Sequence, residues 1–213
     1  MMQKGLTAGF GSIIGRETLD ALHGFGFRII RQDVQRCDST QIAVLATELS
    51  EAGMQPLWIV ATLDQLDCLP AGSLVEWMNE PDLEHPNVIE YRQSLYAAYA
   101  AAGGRLRLSP GAISNLNRRG FEYLRGIIDV IPPDMPIAVH RYPDWPGAAE
   151  PHAGFSSRED EVQELRSIIG GRDIWCTEVG YHTALQKTGS MPWNKRKAWT
   201  DKQAGGALAC TDQ

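Results

Sequence analysis

The strongest constraint on this fold is a rhythm. Short apolar runs bounded by turn residues alternate with amphipathic stretches along nearly the whole chain. The spacing predicts strands over 6–12, 27–34, 55–61, 73–80, 105–108, 136–142 and 173–178. Between them it predicts helices over 15–24, 39–53, 63–69, 87–104, 117–131 and 157–171, with a last helix from Asp201. Strand and helix therefore alternate seven times, and such alternation implies parallel strands joined by crossovers, an open doubly wound sheet or a closed barrel. Tyr91, Leu95, Ala98 and Ala102 fall on one side of the clearest helix, and Ser39 is the expected cap of the second.

At 213 residues the chain suits one domain, 1–213, with one sizeable core. Its 43% hydrophobic and 22% charged residues argue against disorder. A net charge of −6 with dispersed Lys and Arg gives no reason to expect nucleic acid. Cys37, Cys68, Cys176 and Cys210 form no CxxC pair, so a zinc site or a disulfide framework is not expected, and Cys176 reads as a small buried residue of a core strand. No run is long and apolar enough to span a membrane and no signal peptide opens the chain, which leaves localisation open. Gly9, Gly11 and Gly15 give GxGxxxG, one residue too long for a dinucleotide fingerprint, with only Asp33 as a loose match for its acid.

Two of the strands end on glutamates. In SLVEWMNEPD, Pro81 has no N–H to give a sheet, so the strand is expected to stop at once after Glu80, beside Asn79. In DIWCTEVGYHT, Glu178 follows the apolar Ile174–Cys176 run and precedes Gly180. Cleaving a glycosidic bond takes one carboxyl to protonate the leaving oxygen and a second to attack or stabilise the sugar carbon. The bland readings are a solvated loop acid at Glu80 and a capping acid at Glu178. Both residues, however, follow core-like strands at the place where barrel sites form.

With these residues in view, the chain resembles clan A, the retaining glycoside hydrolases built on TIM barrels. There an Asn-Glu pair, often followed by Pro, ends strand four and supplies the acid/base, and a glutamate ending strand seven is the nucleophile. Asn79-Glu80-Pro81 falls on the fourth predicted strand and Glu178 on the seventh. The resemblance implies a (β/α)8 barrel, double displacement on a carbohydrate substrate and no cofactor or metal. It also implies that His140 and Tyr142 contact sugar hydroxyls, that Tyr142 holds the nucleophile, and that Arg31 supports it. Trp145, Tyr181 and Trp193 lie in loops past strand ends, where they could stack on sugar rings or simply pack a loop. The acid/base must be protonated while the nucleophile is ionised, so the Glu80 pKa is expected to be raised by the neighbouring negative charge.

Glu76, four residues before Glu80, should point the same way and needs a cation, either Arg31 or Arg107. Two other readings stay open. Glu80, His140, Glu178 and His182 could ligate a hard divalent ion, which a chelator would test. A non-catalytic carbohydrate-binding barrel is the other, because no eighth strand follows the last helix and the length is below the ~250 residues typical of the fold. The expectation is a C-terminally truncated barrel, or one whose gap between strands one and seven is covered by a partner or by the N-terminal segment. The sequence does not name the sugar or the oligomeric state.

Overall fold

The structure is a computed structural model and describes residues 5–8, 14–114, 116–141 and 158–179. Its elements run β1 (Gly5–Ala8), α1 (Arg16–Gly24), β2 (Ile29–Asp33), α2 (Ser39–Glu51), β3 (Gln55–Val60), α3 (Leu63–Cys68) and β4 (Leu74–Trp77). Then come α4 (Pro81–Glu84), α5 (Val88–Ala102), β5 (Arg107–Pro110), α6 (Arg118–Ile127), a 3-10 turn (Ile128–Val130), β6 (Ile137–Arg141), α7 (Arg158–Ile169) and β7 (Ile174–Val179). All seven predicted strands are present among these residues. The helix foreseen from Asp201 lies outside them.

The fold is α/β with parallel strands. One sheet holds five in the order β1-β2-β3-β4-β5, and a second pairs β6 with β7. Strands adjacent in sequence are adjacent in the sheet, the arrangement that helical crossovers produce. Among the described residues the sheets meet at a backbone bridge, Ile113 with Val139. There the Ile113 N–H donates to the Ala138 carbonyl at 3.1 Å and the His140 N–H to the Ile113 carbonyl at 2.8 Å. Across the remaining edge, among the described residues, β1 and β7 share no backbone ladder. Instead the Thr7 hydroxyl donates to the Thr177 carbonyl at 3.3 Å.

Strand alternation divides each sheet into two faces. Ile30, Trp58, Val60, Val75, Trp77, Leu108 and Val139 face the helices and pack with Leu45, Leu95, Phe121 and Leu124 in one core. Arg31, Glu76, Ser109 and His140, also buried, alternate with them and so occupy the opposite face. On α5 the buried positions are Tyr91, Leu95, Ala98 and Ala102, as the spacing predicts. The cap of α2 is Asp38 rather than Ser39, because Asp38 accepts the Gln41 N–H while Gln41 reaches back to the Asp38 N–H. Cys176 is exposed, not buried as expected, while Cys210 lies outside the described residues.

Candidate active site

β4 ends at Trp77, three residues earlier than Pro81 alone would suggest. The Met78 N–H makes one more bond, to the Val60 carbonyl at 2.7 Å, and then the backbone turns left-handed, with φ of 67° at Met78 and 39° at Glu80. Non-glycine residues held there cost about 1–3 kcal/mol each and persist only where their surroundings impose them. Glu80 thus caps α4, with Pro81 in the first helical position and the Glu80 carbonyl accepting from the Leu83 and Glu84 N–H groups, both at 2.9 Å.

The surroundings that impose this turn are visible. Gly111 lies so close that a Cβ on it would meet the Met78 carbonyl oxygen at 2.7 Å, that of Trp77 at 2.8 Å and Pro81 Cδ at 2.9 Å. The buried Tyr91 hydroxyl donates to the Trp77 carbonyl and accepts from the Gly111 N–H, both at 3.0 Å. Asp82 ties the far side of the turn to Ser114, accepting from its N–H at 2.9 Å and its hydroxyl at 2.6 Å. None of Tyr91, Asp82, Gly111 and Ser114 stands out in the sequence as part of the site. The available signal is a tyrosine on the fully apolar side of a helix, since a buried hydroxyl needs a partner.

Glu178 arrives by another route. From Ile137↔Ile174 to Val139↔Cys176 the β6–β7 register is regular, then it shifts so that His140 pairs with Glu178. The extra residue is Thr177, a bulge that re-aims the next side chain. Without it Glu178 would lie opposite Arg141 and, one step out of phase, on the face away from His140.

His140, with no exposed surface, lies between the two acids: Nδ1 is 2.8 Å from Glu80 Oε1 and Nε2 is 3.5 Å from Glu178 Oε1. Both carboxylates keep about a quarter of their side-chain surface open, 24% for Glu80 and 23% for Glu178. Arg31 forms the floor. Its Nη1 pairs with Glu178 Oε1, its Nη2 donates to Asn79 Oδ1 at 2.9 Å, and Nε and Nη2 donate to Glu76 at 3.1 and 2.7 Å. The carboxylate of Glu76, with no exposed surface, thus takes Arg31 as its cation. Arg107, the other candidate, lies over the Trp175 ring and reaches Asp173 at 3.6 Å. Burial works against the Arg31 charge, but Glu76 and Glu178 outweigh it and hold its pKa above the ordinary value.

The Glu80 pKa moves in the direction opposite to expectation. The hydrogen bond from His140 lowers it, partial burial works against that, and the charges of His140 and Arg31 add to the lowering. The partners that set the shift are thus His140 and Arg31 rather than a neighbouring acid. Among the described residues no group of three His, Cys, Asp or Glu has the arrangement of a metal site. Tyr142, Trp145, Tyr181, His182 and Trp193 lie outside the described residues. Of the predicted site residues, Glu80, Glu178, Asn79, His140 and Arg31 come together in one place.

No family model matches the chain, and no curated protein matches it. Among solved structures it is similar to the carboxyl transferase domain of Rhizobium etli pyruvate carboxylase with pyruvate, at 12% identity and a TM-score of 0.35, over 78% of this chain and 23% of that one. It is also similar to a truncated 3-deoxy-D-arabino-heptulosonate 7-phosphate synthase from Thermotoga maritima, at 15% identity and a TM-score of 0.40, over 98% of this chain and 87% of that one. The chain spans about a quarter of the length of the carboxyl transferase domain. Likenesses this distant carry no argument about activity.

Proposed function

We propose that this chain is a retaining glycoside hydrolase of the clan A type, cleaving O-glycosidic bonds of a poly- or oligosaccharide with Glu178 as nucleophile and Glu80 as acid/base. The observation that carries the reading is one imidazole, His140, within reach of two partly open carboxylates, Glu80 in the turn after β4 and Glu178 near the end of β7, the latter seated on Arg31. In this reading the two parallel sheets are arcs of a single (β/α)8-type wall, and the site lies where its strand ends converge.

The chemistry follows from the partners. Glu178, charge-paired with Arg31, is oriented to attack the anomeric carbon as a carboxylate, forming a glycosyl ester while the leaving oxygen takes a proton. That proton comes from the Glu80–His140 pair. In this reading His140 enters the step as an imidazolium, and as a sugar oxygen docks against Glu80 the Nδ1 proton crosses the 2.8 Å contact to Glu80 and on to the leaving oxygen, leaving a neutral ring. Glu80 then accepts a proton from the water that cleaves the ester, which restores the pair. Asn79, fixed by Arg31, presents its amide N–H groups beside the site for a sugar hydroxyl.

A panel of aryl glycosides tests this reading, with the anomeric configuration of the product followed by NMR. Release with retained configuration is expected. Glu178→Gln should abolish turnover on every substrate, whereas Glu80→Gln should lose ~10²–10⁴-fold on poor leaving groups and spare activated ones. Failure to cleave any glycoside, or equal damage by Glu80→Gln on both substrate types, would sink the proposal.

A further inference from the structure

We infer that Tyr91 is a positioning residue for Glu80, its hydroxyl acting as the pin that sets the distance between Glu80 and His140. The catalytic consequence rests on the glycosidase reading. The structural consequence does not.

Two backbone paths leave this hydroxyl. One goes through the Trp77 carbonyl, at 3.0 Å, into the left-handed turn at Met78 and Glu80. The other goes through the Gly111 N–H, at 3.0 Å, and two residues later reaches Ile113, whose backbone bonds hold Ala138 and His140. The hydroxyl therefore joins the segment that carries the acid to the segment that carries its imidazole. Between Gly111 and the turn there is no room for even a methyl group, so the two segments are in backbone contact and a small displacement of one is passed to the other.

Tyr91 suits this task better than a residue on a strand would. It stands on α5, with Leu95, Ala98 and Ala102 anchoring the same helical face in the core, and 2% of its surface is exposed. Burial holds the phenol's pKa well above its ordinary value, so the hydroxyl stays a donor throughout the working pH range. Deleting the oxygen would leave a buried carbonyl and a buried N–H without this partner, and the turn would relax towards a less strained backbone.

The test is Tyr91→Phe, which keeps the ring and removes one atom. Two readouts are taken: titration of the Glu80 carboxyl by ¹³C NMR, and kcat/KM across aryl glycosides of graded leaving-group ability. As the Glu80–His140 bond loosens, Glu80 should titrate higher, towards an ordinary glutamate. Loss on poor leaving groups should approach ~10²-fold, the size of effect a misplacement near 1 Å produces, with activated substrates nearly unaffected. An unchanged Glu80 titration, or a uniform loss across leaving groups, would overturn the inference. Should the titration move while the wild-type protein cleaves no glycoside, the pin stands and the glycosidase reading falls. Asp82→Asn, which loosens the tie to Ser114 and keeps the Tyr91 hydroxyl, guards against poor folding of the first variant. It should move the Glu80 titration less than Tyr91→Phe, and the reverse order would overturn the assignment.

Discussion

The corner that carries Glu80 and the strand that carries Glu178 hold a carboxylate in place by different means. Glu80 is aimed by its backbone: two left-handed residues, a neighbouring glycine with no space for a side chain, and two buried tethers from α5 and from Ser114. Glu178 is aimed by a register slip in an otherwise ordinary strand and is fixed at its tip by Arg31. On the glycosidase reading, the group proposed to exchange protons has a titratable partner, the buried His140 ring, and relies on its main chain for position, while the group proposed to stay charged relies on a permanent cation. The difference predicts that the Glu178 side fails through electrostatics and the Glu80 side through geometry.

The largest expected effect comes from removing the cation. Arg31→Met leaves Glu76 buried and uncompensated, which should cost about 3–5 kcal/mol of stability in urea unfolding. Adding Glu76→Leu should recover most of that loss, because a well-packed apolar pair can replace a buried ion pair. The Glu178 carboxylate would still lack the Arg31 cation, so on the glycosidase reading activity should stay low in the double variant. Recovery of activity along with stability would show that Arg31 only fills space, and would erase the contrast between the two sides.

A smaller effect should appear at the imidazole. Glu80 has a lowered folded-state pKa, so its bond to His140 contributes stability that is fully present above the unfolded glutamate value and is lost as pH falls through the lowered one. His140→Ala removes the first cause of the lowering. Glu80 should then titrate higher, towards an ordinary glutamate, and the stability loss on acidification should shrink. A Glu80 titration unmoved by His140→Ala would assign the lowering to Arg31, and the two carboxylates would no longer differ in kind.

How much of this can be read from the sequence depends on whether a residue's place follows from local periodicity. The α5 face and the seven strands follow from it, since apolar side chains recur at 3.6 or 2 residues wherever one side is buried. That Glu76 needs a cation is also legible, because a carboxylate four residues below Glu80 is expected inside the sheet, but the choice of Arg31 over Arg107 is made only by the fold. The true end of β4 is not, for Pro81 announces a stop but the left-handed turn at Met78 is imposed by Gly111, more than thirty residues away. The Thr177 bulge is equally silent, since nothing in the DIWCTEV run says which residue is the extra one. Counting by twos would place Glu178 on the wrong face.

The contact between Thr7 and Thr177 has a kinetic consequence. From β1 to β5 each strand pairs with its neighbour in sequence, so the five-stranded sheet can assemble by successive short closures. Thr7 and Thr177 are 170 residues apart, and the entropy of closing so long a loop makes their contact the one expected to form last. Contacts made late belong to the unfolding side of the barrier. Thr7→Val, which removes an exposed bond worth about 0.5–1 kcal/mol, should therefore speed unfolding a few-fold in a denaturant-jump experiment and leave the refolding rate almost unchanged. A matching drop in the refolding rate would mean that this seam is joined before the rate-limiting step.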